Sequence, residues 1–159
     1  MANKNVLILG AGFLQKPAIL AAKELGYTVT VVDANEAAVA IPFADCFEHV
    51  DLKDRDGILA VAENLEKNGG LDGIFTAGTD FSASVSYAGE KLGKHCHSFE
   101  AALNASGKTR MRACFSAADV PSPQFCRISE NVPSDEELSA MIQGLGLPCV
   151  IKPADKSVA

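Results

Sequence analysis

The run Val6-Leu7-Ile8-Leu9 ends in Gly10-Ala11-Gly12, feeds a segment of helical period and returns as Thr28-Val29-Thr30-Val31-Val32, closing on Asp33. An apolar strand that turns on glycine into a helix and comes back as a second apolar strand builds two parallel neighbours joined by a helical crossover. The first hundred residues keep that rhythm, with further strands expected at Cys46 to Val50 and Gly73 to Phe75. Between them, Ile58, Val61, Ala62 and Leu65, and then Phe81, Val85, Ala88 and Leu92, recur at helical spacing and give each helix one face to bury. Pro17 near the start of the first helix and Gly26 after Leu25 bound it at roughly residues 14–25. The expected fold class is α/β: an open parallel Rossmann-like sheet flanked by helices.

Apolar residues make up 48% of the 159 and aromatics only 6%, so the core should be aliphatic. The net charge of −6, from 14 basic and 20 acidic residues, argues against a nucleic-acid partner, because neutralising phosphates requires a basic patch. Five scattered cysteines, Cys46, Cys96, Cys114, Cys126 and Cys149, fit reduced thiols better than a disulfide framework. With no signal-like leader and no apolar run long enough to span a bilayer, the expectation is a cytoplasmic protein without a membrane partner.

Beyond residue 97 the rhythm changes. Phe99 to Asn104 reads as a short helix, and Met111, Cys114, Phe115 and Ala118 as one face of the next. Val120-Pro121-Ser122-Pro123 breaks the pattern. A strand is expected near Gln124 to Ile128. A helix should then open at Ser134, with Glu137 completing a capping box and Leu138, Met141, Ile142 and Leu145 as its stripe, and a last strand at Cys149 to Lys152.

Several positions can carry chemistry. Gly10 and Gly12 allow backbone N–H groups to approach an anion at a helix N-terminus, or simply make the turn that the sheet requires. For a dinucleotide the third glycine would fall at position 15, which is Gln15. Asp33 ends its strand where such a fold binds ribose hydroxyls; a turn carboxylate is the equal alternative. Thr79 and Asp80 follow the fourth strand on the same carboxyl edge, either as ligand groups or as helix caps. Ser106-Gly107-Lys108-Thr109 fails as a phosphate loop because position 102 is Ala102, yet Lys108 in a first helical turn either meets an anion opposite it or is a solvated surface lysine. Lys152 is expected to emerge from a buried strand, where a charge is costly unless it meets a partner or a ligand. His95-Cys96-His97 is too short a cluster for a metal site, and no catalytic constellation can be read from spacing; His49 reads as a strand or turn residue.

Taken in order, Ile8-Leu9-Gly10-Ala11-Gly12, Ala21-Ala22-Lys23-Glu24-Leu25-Gly26-Tyr27, Val31-Val32-Asp33, Phe43-Ala44-Asp45, Thr76-Ala77-Gly78-Thr79-Asp80, Lys108-Thr109-Arg110-Met111-Arg112 and Leu147-Pro148-Cys149-Val150-Ile151-Lys152-Pro153 resemble the ATP-grasp ligase superfamily. Within it the chain is most similar to the branch containing the large subunit of carbamoyl-phosphate synthase, biotin carboxylase and phosphoribosylamine–glycine ligase. The resemblance covers nearly the whole chain.

It implies a pre-ATP-grasp domain over residues 1–105 and the truncated start of an ATP-binding domain over 106–159. It also implies an ATP-dependent ligase that joins a carboxylate or bicarbonate to an amine or similar nucleophile through an acyl-phosphate. In that reading Lys108 and Lys152 contact ATP phosphates, while Gly10, Gly12, Asp33, Thr79 and Asp80 line the substrate edge. The cofactors are ATP and Mg2+, the magnesium ligands being expected beyond Ala159, and the partners are a small-molecule carboxylate and ATP, with a homodimer left open. The 159-residue chain by itself is then expected to be inactive. The alternative is a nucleotide- or NAD-binding Rossmann-like module without catalysis.

Overall fold

The computed structural model describes residues 4–128, 131 and 133–154. The chain divides into two compact units, Met1–Leu103 and Asn104–Ala159.

The first unit is built on four strands, β1 (Asn5–Leu9), β2 (Thr28–Asp33), β3 (Cys46–His49) and β4 (Gly73–Thr76), all parallel, in the order β3-β2-β1-β4. Val6 pairs with Val29 on one side and Gly73 on the other, which sets the register through the centre of the sheet. Alternation then divides β1 between two cores. Val6 and Ile8 face Ile19 and Ala22 of α1 (Lys16–Glu24), with Val29, Val31, Ala38 and Ala40. Leu7 and Leu9 face Ile58 and Ala62 of α2 (Arg55–Gly69) and Val85 and Ala88 of α3 (Ser82–Lys91). Helices on both faces are what allow β1 and β2 to be apolar without interruption.

Local chemistry sets the helix ends. Pro17 lies in the first turn of α1, and the chain leaves that helix through Gly26, whose N–H donates to the Lys23 carbonyl at 2.9 Å. Asp54 caps α2 by accepting from the Gly57 N–H at 2.9 Å. A helix α4 (Phe99–Ser106) follows, with Ala102 buried, and the Phe99 ring meets Tyr87 edge to face at 5.3 Å.

In the second unit, α5 (Lys108–Ala117) and α6 (Asp135–Leu145) form as the periodicity predicts. The capping box is present in both directions: Glu137 N–H donates to Ser134 Oγ at 3.2 Å, and Ser134 N–H to Glu137 Oε2 at 2.8 Å. The two strands expected here do not form. Residues 124–128 and 149–152 have no ladder partner, with Phe125 and Ile128 43% and 41% exposed and Val150 and Ile151 79% and 75% exposed. An apolar run becomes a strand only when a neighbour takes its N–H and C=O groups, and among the described residues of this unit no strand is assigned. The anticipated helix stripes are half-buried at best: Met111, Phe115, Leu138, Met141, Ile142 and Leu145 are intermediate, while Cys114 and Ala118 are exposed.

Candidate functional site

In a sheet of order β3-β2-β1-β4, the chain runs outward from β1 to one side and then returns to the other. The helices after β1 and β4 therefore pack on opposite faces of the sheet, and the loops that lead to them lie at the carboxyl edge, where open α/β sheets hold ligands. Gly10, Gly12, Asp33, Thr79 and Asp80 all lie on loops or strand ends of this edge, as their sequence positions require.

The glycine turn does not offer its amides outward. Gly10 N–H donates to the Val32 carbonyl at 2.8 Å, Ala11 N–H to Asp33 Oδ2 at 2.8 Å and Gly12 N–H to Gln15 Oε1 at 3.0 Å. Gln15, only 7% exposed, also donates from Nε2 to the Ala77 carbonyl and so ties the β1–α1 turn to the loop after β4. The turn is a tight fold-building device whose donors are spent internally, rather than the anion cradle that its sequence suggested. This geometry argues against the dinucleotide alternative, because the pyrophosphate of such a ligand needs those N–H groups.

The same bonds account for the glycines. Gly10 adopts φ +96°, and a Cβ there would lie 3.1 Å from the Gln15 side chain. At Gly78, φ is +63° and a Cβ would come within 2.8 Å of Leu14, so the two loops meet at closest approach there.

Asp33 is half-buried and doubly engaged, its second oxygen accepting from Asn35 N–H at 2.9 Å. Its turn role is thus realised in the structure. Thr79 is half-buried and Asp80 exposed, and neither caps α3: the N-cap is Phe81, without a side-chain cap bond. Thr76, one strand position before this loop, donates from Oγ1 to the Leu9 carbonyl at 2.8 Å and pins β4 to β1 at the rim. His49 sits on β3 with Nε2 3.0 Å from the Ala34 carbonyl and Nδ1 3.1 Å from Glu36 Oε1, holding the loop after β2. Phe13 and Leu14, which the sequence did not single out, stand 78% and 61% exposed between the glycine turn and α1. Their signal was available: two large apolar residues between a glycine turn and a helix start have no core to enter.

In the second unit, Lys108 is the first residue of α5, half-buried, in a first turn that holds no acidic residue. Its N–H meets the Ala154 carbonyl at 3.4 Å, which brings the backbone of the Lys152-Pro153-Ala154 segment to the start of that helix. Lys152 itself is exposed. Contrary to expectation, its charge does not emerge from a buried strand, because Cys149 to Lys152 forms no strand and Val150 and Ile151 face solvent. Among the described residues, no group of three or more His, Cys, Asp or Glu side chains is gathered as a metal site, and no helix is long and apolar enough to cross a membrane.

No family model matches the chain. It is 29% identical over 150 residues to the formate-dependent phosphoribosylglycinamide formyltransferase of Methanococcus maripaludis strain C7, a match covering 94% of this chain and 37% of that protein. A phosphoribosylglycinamide synthetase structure from Anaerococcus prevotii superposes with a TM-score of 0.69 at 30% identity, covering 92% of this chain and 36% of that one. The N5-carboxyaminoimidazole synthetase of Staphylococcus aureus, complexed with ADP, shares the fold with a TM-score of 0.71 at 18% identity, over 98% and 40% of the two chains. The chain thus spans little more than a third of the length of the relatives it matches. Its homologues are ATP-grasp ligases of the phosphoribosylglycinamide formyltransferase type, and it corresponds to their N-terminal part.

Proposed function

We propose that this chain is the substrate-binding and nucleotide-contacting N-terminal part of an ATP-dependent ligase, with a pre-ATP-grasp domain over residues 1–105 and the start of an ATP-binding domain from 106. The observation that carries this reading is that one relative matches the chain across both of its units without a change of order. The reaction is ligation of a carboxylate or bicarbonate to an amine, of the kind carbamoyl-phosphate synthase performs. The carboxylate oxygen takes the γ-phosphoryl group of ATP, ADP leaves, and the amine then attacks the acyl carbon. Phosphate departs and the amine gives up a proton.

The catalytic demand on the protein is to hold a triphosphate and neutralise its developing charge. Lys108 and Lys152 are the groups of this chain suited to meeting it, since both are cationic and their segments meet through the Lys108 N–H and the Ala154 carbonyl. Magnesium, where bound, supplies further neutralisation of the phosphates. On the carboxyl edge of the first unit Thr79 and Asp80 are the groups left to orient the acid substrate, while Gly10, Gly12 and Asp33 shape the turn beside them. The protein acts in the cytoplasm on small molecules.

The test is titration of the 15N-labelled chain with MgATP. Saturable shifts at the amides of 107–110 and 150–152, weakened about tenfold by Lys108→Met and by Lys152→Met, are expected for groups that each make one charge-assisted contact to phosphate. A flat response of the unsubstituted chain at both segments would remove the nucleotide reading.

A further inference from the structure

We propose that Gln15 is a specificity-determining residue: with Asp33 behind it, it closes the glycine turn against phosphate, so that the ligand held at this edge bears no phosphate there. The substrate class follows only if the carboxyl edge binds the acid substrate, as proposed above; the closure rests on geometry alone.

Two independent features close the turn. The first is occupancy. Built Cβ positions on Gly10 and Gly12 fall 3.1 and 3.0 Å from the Gln15 side chain, so the carboxamide already lies over the two positions where a phosphate would approach bare backbone. Its two ends are held by Gly12 N–H and the Ala77 carbonyl, which come from the β1–α1 turn and the loop after β4. The second is charge. The Ala11 N–H, between the two glycines, is bonded to a carboxylate, so an anion seated there would have to displace Asp33 and then sit beside it.

A carboxamide that both donates and accepts at a buried position is costly to dislodge, since each freed group would lose its bond without gaining water. Directly after the closed turn stand two exposed apolar residues, Phe13 and Leu14, 78% and 61% exposed, with Asp80 the exposed charged residue on the loop after β4. A ligand body with an apolar surface gains by covering them, whereas a phosphate gains nothing.

Amide shifts of Ala11 and Gly12 read the closure directly. With inorganic pyrophosphate and ribose 5-phosphate as probes, the unsubstituted chain should give no saturable shift at either amide. Gln15→Ala should acquire one at Gly12. Gln15→Ala combined with Asp33→Asn should bind about tenfold more tightly still, the worth of one released charge-assisted bond.

Gln15→Met, which keeps the bulk and removes both bonding groups, should raise hydrogen exchange at the Gly12 amide while leaving phosphate excluded. That arm stands even if the smaller variants unfold. Saturable phosphate shifts at Ala11 or Gly12 in the unsubstituted chain would overturn the proposal, as would folded Gln15→Ala and double variants that stay silent, or Gln15→Met with unchanged exchange. A negative MgATP titration would remove the ligase reading and leave these outcomes as they are.

Discussion

From Met1 to Leu103 the strand residues Leu7, Ile8, Leu9, Val29, Val31 and Val32 are fully buried. From Asn104 onward none of the described residues is buried, and Leu147 is 78% exposed beside Val150 and Ile151. The helices of both units follow their local sequence signals; α6 has a more complete cap than α1. What separates them is partnership. Every apolar run of the first unit that reads as a strand has a parallel neighbour within the same unit, and those of the second have none among the described residues. Helices satisfy their own backbone and can form without a neighbour, whereas strands cannot.

The contrast should break most visibly at a core position. Ile8 is fully buried in the centre of β1, and Ile8→Ala removes apolar contact on a site that β2, β4 and α1 cannot collapse to fill. A loss of about 2–5 kcal/mol is expected on urea denaturation followed by circular dichroism. The matching change in the second unit, Ile142→Ala on half-buried α6, should cost under about 1 kcal/mol. Equal losses would mean that α6 has a core of its own.

Much of the first unit was legible because its determinants are local or periodic. β1, β2 and β4 fall where apolar runs end in glycine, acid or turn residues, and Pro17 and Gly26 bound α1. At the site, Gly10, Asp33, Thr79 and Asp80 could be placed on one edge from topology alone. Gln15 could not be read in the same way: it was conspicuous only for not being glycine, and its role depends on Ala77, 62 residues further along the chain. The strands at 124–128 and 149–152 misled for the converse reason. Their composition is right for a strand, but composition cannot supply the neighbour, and without the strand Lys152 loses the burial that would have made its charge costly.

A smaller effect sharpens the contrast through pH. Asp45 accepts from the Val29 N–H at 2.7 Å and from Lys23 Nζ, clasping the start of β2 to α1. The Lys23 ammonium first, then the Val29 N–H, hold its carboxyl below the ordinary value of 3.8. A carboxylate with a depressed folded-state pKa stabilises above its unfolded pKa, and that contribution is lost as pH falls through the folded value. On this account the first unit should lose under about 1 kcal/mol as pH falls below 3.8, a figure kept low because the side chain is one-third exposed and screened. Asp45→Asn should flatten that part of the profile; an unchanged slope would deny the clasp a role.

The smallest expected effect probes the second unit where its structure is most self-contained. In α6 the Ser134 hydroxyl and the Glu137 carboxylate each satisfy the other's backbone N–H, and the three acidic residues Asp135, Glu136 and Glu137 sit at the positive end of the helix dipole. Since no residue of α6 is buried, the helix should respond as an isolated peptide does, and Ser134→Ala should cost about 0.5 kcal/mol. The loss should be visible as faster exchange of the Leu138 and Ser139 amides, with no change in the exchange of β1. If Ser134→Ala also raised exchange in β1, the two units would share a folding transition. The helix would then owe its order to contacts beyond its own cap, and the contrast between a packed first unit and a locally determined second would have to be given up.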